Sequence, residues 1–269
     1  MSESEASSTP ARLRVAILTC GPDVSDMTVA LARRPSVELL ATVCTPPLRG
    51  KSARRRLENV YRYHGARGLA LLPLRKAGDL ATALGKSVRR VAGGSRSART
   101  LRFDNFHSDA CLAALRALEL DALVIDGTYV LRESVFSLAR RAALNIHCGK
   151  LPEYRGAPPC FWEVYNGESE VGVTVHGVTA DLDAGPIYNQ RVFPLERCPR
   201  QPALDYVRDT WLTVLRPAGV ELMALTLDQM AAGTACPEKQ TASFPVYKRP
   251  TYQTVRTLQS RVDARCRAK

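Results

Sequence analysis

Nothing in the 269 residues approaches the ~20 consecutive apolar positions that a membrane-spanning helix needs, so no bilayer span is expected. The opening MSESEASSTPAR has neither an apolar core nor a basic leader. It reads as a disordered tail over residues 1–12, not a signal peptide, and a cytoplasmic location is expected. None of the eight cysteines, at positions 20, 44, 111, 148, 160, 198, 236 and 266, forms a CxxC pair, so the signal for a metal site is missing and buried reduced thiols are expected. Neither an internal repeat nor a low-complexity domain interrupts the chain. Aromatic residues make up only 6%, and between Arg49 and Arg102 the only ones are Tyr61 and Tyr63. That stretch therefore lacks the stacking platforms on which single-stranded nucleic acid is usually held, and nucleic acid is not the expected partner.

Charge, by contrast, is concentrated in that same stretch. It holds 15 Lys or Arg against Glu58 and Asp79, a local charge of +13 in a chain whose net charge is +12. The rest of the molecule is close to neutral. A basic patch of this kind suits phosphates or another anionic surface, although a solvated helical face would carry the same signature.

Hydropathy patterning is that of an α/β protein. LRVAILT (13–19) is a short apolar run rich in branched residues, followed by a helical MTVALARR and a second run, VELLATV (37–43). Strand, helix and strand in this rhythm imply a right-handed crossover and a parallel sheet. The reading continues with a basic helix over 49–64, a strand at 69–73, a helix at 77–92 and a loop at 93–97. A helix at 108–118, a strand DALVID (121–126), a helix RESVFSLA and a strand AALNIH (142–147) follow. After His147 a proline-rich loop leads to a short helix ending at Gly167, then two antiparallel strands, VGVTVHGV and GPIYNQRVFPL. Residues 202–232 are helical with a break at Pro217. The expected fold is a Rossmann-like, mostly parallel sheet flanked by helices, spanning 13–235, with a short C-terminal extension at 236–269.

Asn145 and His147 lie two apart on one strand and so share a face. A carboxamide donor beside an imidazole can bind a developing oxyanion, and an imidazole can also move protons near neutral pH. A carboxylate is then needed to orient the ring. DLDAGPI offers two, Asp181 and Asp183, and spacing does not choose between them. Cys148 follows the histidine, but a reactive thiol needs a base at hand, and adjacency in sequence does not provide one. His176 sits at a strand position where packing is its expected role, and His64 and His107 read as structural or surface residues.

Taken whole, LNIHCGKLPEYRGAPPCFWEVYNGESEVGVTVHGVTADLDAGPI (144–187) closely resembles the core of the formyltetrahydrofolate-dependent formyltransferases. The shared elements are N-x-H, L-P-x-Y-R-G, N-G-E, G-V-T-x-H and L-D-x-G-P-I, in order over about forty residues. The resemblance implies an Asn–His–Asp site of Asn145, His147 and Asp183. It further implies 10-formyltetrahydrofolate as formyl donor, a primary amine as acceptor and no metal. It places the pteridine ring against Thr128, Tyr129, Val130 and Leu131 and against Thr179, Ala180, Asp181 and Leu182. Cys148, Gly149 and Lys150 depart from the family's Pro or Gly followed by Ser. The turn TCGPDVSDM (19–27) is a poor phosphate cradle, which disfavours a glycinamide ribonucleotide acceptor. The tail is too short for a tRNA-binding barrel. The leading acceptor is a small anionic molecule, an amino sugar nucleotide. An amino acid, peptide or secondary-metabolite amine, or water in a deformylase, are the alternatives.

Overall fold

The computed structural model describes residues 12–21, 25–46, 57, 58, 60, 61, 63, 65, 99–242 and 244–268. Its strands are β1 (Leu13–Thr19), β2 (Val37–Cys44), β3 (Arg99–Arg102), β4 (Ala122–Asp126), β5 (Ala142–His147), β6 (Glu170–Gly177) and β7 (Ile187–Pro194). They form one sheet in the order β3-β2-β1-β4-β5-β6-β7. The first five run parallel; β6 and β7 are antiparallel. Strand order reverses between β1 and β4, and ligands of open α/β sheets gather at the carboxyl ends beside such a reversal.

Both faces of the sheet are covered, which is why its strands read as nearly continuous apolar runs. Leu13, Val15 and Ile17 of β1 point to one face, Ala16 and Leu18 to the other. The first face packs against α1 (Asp26–Ala32), α4 (Phe161–Asn166), α5 (Ala203–Thr210), α6 (Arg216–Ala231) and α7 (Tyr252–Arg267). The second packs against α2 (Asp109–Ala117) and α3 (Glu133–Phe136). Helix α6 is buried on most of its circumference and crosses close over β5 and β6 at Gly219. A Cβ there would sit 2.6 Å from Ile146 Cγ2 and 3.1 Å from Val173 Cγ2, so the approach depends on glycine.

Several boundaries differ from those read in the sequence. The break expected at Pro217 takes the form of a π-helical turn, Trp211–Leu215, just ahead of α6. A proline without an N–H, placed at the start of α6, is compatible with such a widened turn. Strand β3 was not anticipated. RTLR has no apolar run because it is an edge strand whose side chains are largely exposed. The helix read over RESVFSLA is a single turn. Helix α7 lies in the tail that was read only as an extension; Val255, Leu258 and Val262 repeat at helical spacing on its buried side. The expectation that all cysteines are reduced and unpaired is corrected for two of them: Cys198 and Cys266 are joined as a disulfide that ties α7 to the β7–α5 connection. The other six are free. Of the basic helix, residues 57, 58, 60, 61 and 63 are helical. The strand at 69–73, the helix at 77–92, the loop at 93–97 and His64 lie outside the described residues. Among the described residues no helix is long and apolar enough to cross a membrane.

Candidate active site

Strand β5 delivers Asn145 and His147 to one face at its carboxyl end, and Ile146 to the opposite one, under α6. Antiparallel pairing sets His176 of β6 directly opposite Asn145, and Thr174 opposite His147. Asn145 Nδ2 donates to His176 Nε2 at 3.1 Å, while His176 Nδ1 donates to the Gly177 carbonyl at 2.8 Å. The ring is thus neutral, with its proton on Nδ1. Burial, and then the neighbouring His147, push its pKa down to about 4, which keeps it an acceptor toward Asn145 throughout the physiological range. One hydrogen of the Asn145 amide is committed to His176. The other remains for a ligand. His176, expected only to pack, therefore fixes which way the amide points. The signal that could have found it was its register opposite Asn145.

His147 is held at both ring nitrogens. Nε2 donates to the Tyr154 carbonyl at 2.6 Å, and Nδ1 faces Asp183 Oδ2 at 3.5 Å. Gly149 leaves the space this ring needs: a Cβ there would fall 2.5 Å from His147 Nε2. Asp183 Oδ2 accepts the Gly156 N–H at 2.9 Å, and Oδ1 lies 3.6 Å from His176 Nε2. Its backbone is left-handed, at φ +50°, a conformation that aspartate tolerates better than most residues. Two anchors hold the loop in that shape. Arg155 Nε donates to the Leu182 carbonyl at 2.9 Å, and Gln240 Nε2 donates to the carbonyls of Asp183 and Gly185 at 3.1 and 2.7 Å. The ambiguity between the two aspartates is thereby resolved in three dimensions: Asp183 is the one turned to the histidines. The residues after β5 and those around Asp183 are further coupled through the tail. Tyr247 N donates to the Arg155 carbonyl, and Tyr247 O accepts from Ala157 N.

Beyond these three groups opens a cavity of about 220 Å³. Its walls include Thr128, Tyr129, Val130 and Leu131 on one side and Thr179, Ala180, Asp181, Leu182 and Asp183 on the other, with Asn145, His147 and His176 at its end. Every site residue expected from sequence meets here. Gly156, Ile125 and Val178, which line it too, were not foreseen. Val130 is 73% exposed and Leu182 44%, an unusual openness for apolar side chains facing one cleft. Tyr129 is fixed by its hydroxyl, which accepts the Phe106 N–H at 2.7 Å, and by ring contacts with Phe106 and His107. His107 is structural: its Nε2 accepts the Arg132 N–H at 3.1 Å.

Cys148 turns away from this cavity. Burial pushes its thiol up to about 12, so it carries no thiolate at neutral pH. Lys150 pairs at the surface with Glu170, 3.8 Å away. A larger cavity, about 670 Å³, lies over the ends of β1, β2 and β3 and is lined by Cys20, Cys44, Arg102 and Ser108. It contains none of the Asn–His–Asp residues. Among the described residues no cluster of three or more His, Cys, Asp or Glu is placed to hold a metal ion.

Fold and site together define an open α/β protein with an amide, two imidazoles and a carboxylate converging at a strand end. Residues 85–198 match the Formyl transferase domain family. A methionyl-tRNA formyltransferase from Parabacteroides distasonis is 32% identical over 151 residues, which cover 56% of this chain and 46% of that relative. The chain thus spans about half the length of such relatives. Glycinamide ribonucleotide transformylase 1 from Symbiobacterium toebii superposes with a TM-score of 0.53 at 21% identity, over 82% of this chain and 89% of that one. A sugar N-formyltransferase from Shewanella sp. gives 0.53 at 14%, over 87% and 75%. These two likenesses are of fold. Over residues 85–198 this chain is thus similar to formyltransferases in sequence, and its fold is theirs.

Proposed function

We propose that the protein transfers a formyl group from 10-formyltetrahydrofolate to a primary amine at Asn145, His147 and Asp183. The observation that carries this reading is the meeting of these three residues with the open-sided cleft between 128–131 and 179–182. The cleft suits a flat heteroaromatic ring, with the exposed apolar side chains of Val130 and Leu182 on its two walls. The donor, when bound there, supplies a formyl group on a nitrogen able to leave. The free N–H of Asn145 donates to the formyl oxygen as charge collects on it, and the His147 ring supports the same charge. Asp183 holds the ring from Nδ1. As the new carbon–nitrogen bond forms and the old one breaks, one proton passes from the amine to the leaving nitrogen, with His147 and water in reach of the path.

One arrangement narrows the acceptor. Arg216 donates from Nη2 and Nε to Asp26 at 2.6 and 3.1 Å, and from Nη2 to Asp126 at 2.9 Å, with Nη1 also on Asp126. Asp26 is in the first turn of α1 and Asp126 ends β4, so two carboxylates and one guanidinium occupy the crevice beside the strand reversal. Their net charge of about −1 attracts an ammonium and opposes a phosphate seated in the α1 turn. This supports an amine whose anionic part, if it has one, binds elsewhere, as an amino sugar nucleotide could. A second reading follows from the methionyl-tRNA formyltransferases among the relatives and from the +13 segment: an aminoacyl-tRNA acceptor. Incubation with 10-formyltetrahydrofolate and a panel of amines, scoring folate product by absorbance and formyl adducts by mass, tests the function. A steep salt dependence of acceptor binding singles out tRNA. Folate product without any adduct means hydrolysis. No folate product with any acceptor refutes the proposal.

A further inference from the structure

Behind His147, on the side away from the cleft, lies a carboxyl group that the proposed reaction does not use. Glu163, in the first turn of α4, is 2% exposed. The backbone N–H groups of Glu163 itself and of Lys150, three residues beyond His147, favour its charged form, but less than burial opposes it. Its Oε1 has no hydrogen-bonding partner. Among the described residues no Lys, Arg or His forms an ion pair with it. A void of about 10 Å³ separates it from His147, walled also by Cys148, Tyr154, Trp162 and Tyr247, with room for a single water.

We propose that Glu163 is a positioning residue for His147: a buried carboxylic acid that, through one water in the void it shares with the histidine, forms the polar backing of that ring. The role rests on formyl transfer at this site. The physical argument is about charge. A carboxylate without a cation in a dry site is costly, so the group keeps its proton. Burial pushes it up to about 8. The groups that face it offer no relief. Cys148 and Cys160 are themselves buried thiols pushed above their ordinary range by burial, Glu168 is acidic, and Tyr154 and Tyr247 are phenols. Arg155, also at the void, has its guanidinium turned to the Leu182 carbonyl. At neutral pH the acid is uncharged and can donate from the oxygen that lacks a partner. Once ionised, it places a negative charge behind the ring that must support a developing oxyanion, and turnover falls.

Glu163→Gln keeps the shape and a polar group at the void but cannot ionise. Wild-type kcat is expected to fall by about tenfold as pH rises from 7 to 9, and the fall is expected to be missing in E163Q. Glu163→Leu removes the polar group as well, and should lower kcat about tenfold at pH 7 with the folate KM kept. A second readout does not need turnover. The native state holds this proton while the unfolded chain, with an ordinary carboxyl near 4.5, gives it up. Stability should therefore decline as pH rises from about 4.5 to about 8 and level off above that; in E163Q this share of the decline is absent. Urea unfolding across this range measures it. Identical stability–pH profiles for wild type and E163Q overturn the proposal even if transfer is confirmed, as does an alkaline fall in kcat that E163Q retains. A wild type inactive with every amine refutes formyl transfer instead, and the unfolding profiles still report on the acid.

Discussion

Replacing Asp183 with asparagine removes a charge and little else. The side chain is isosteric, and an oxygen remains to accept the Gly156 N–H that the carboxylate now holds at 2.9 Å. The carbonyls of Asp183 and Gly185 keep their bonds from Gln240, so the left-handed loop keeps its anchors. What disappears is a negative charge 3.5 Å from His147 Nδ1. At an effective dielectric constant of about 20, unit charges at this distance interact by about 4–5 kcal/mol. Each 1.36 kcal/mol is a factor of ten in rate, so kcat should fall by roughly three powers of ten. Folate binding, which depends on the walls of the cleft, should change less than threefold. The assay is steady-state turnover with 10-formyltetrahydrofolate and the best amine from the panel, beside a thermal unfolding curve that should stay within about 2 °C of wild type. A D183N protein with kcat within tenfold of wild type would refute the electrostatic role, since no other charge is placed to replace this one at Nδ1.

Asn145→Ala should cost two to three powers of ten in kcat, by removal of the free amide donor. His176→Phe should cost less, by releasing the amide from its fixed orientation, with single-turnover kinetics separating the two. Val130→Arg, at a position 73% exposed, should leave the apo melting temperature unchanged and diminish the rise that saturating reduced folate produces. Gly219→Val pushes a side chain into Ile146, and urea denaturation should show a loss of about 1–3 kcal/mol or more.

Much of this architecture is legible in one dimension because its causes are local. Buried parallel strands such as β1 and β4 announce themselves as apolar runs, and alternation along β5 already sets Asn145 and His147 on one face. Gly167 ends α4 with φ +81°, where other residues are strained. The family's ordered motifs carried the assignment of Asp183 and of the cleft walls, and the folded chain brings those residues together. The edge strand β3 lacked a burial signal because none of its four residues is buried. The pairing of Cys198 with Cys266, 68 residues apart, has no local trace either.

What only the tertiary structure decided are relations between distant segments. Hydropathy can say that His176 is inside, but its task of orienting Asn145 comes from strand pairing across a sequence separation of 31. Spacing does not separate Asp183 from Asp181; what turns Asp183 to the histidines is a left-handed turn held by Arg155 and Gln240, one of them from the tail. Arg216 reaches Asp26 across a separation of 190 residues to occupy the crevice beside β1 and β4. Nothing local marks Glu163, in a short helix, as a buried acid without a cation; the turns after β5, which share its void, bring that about. Periodicity reports which face of an element is dry; the partner of a buried polar group is set by packing, because hydrogen bonds and desolvation depend on distances that sequence spacing does not contain.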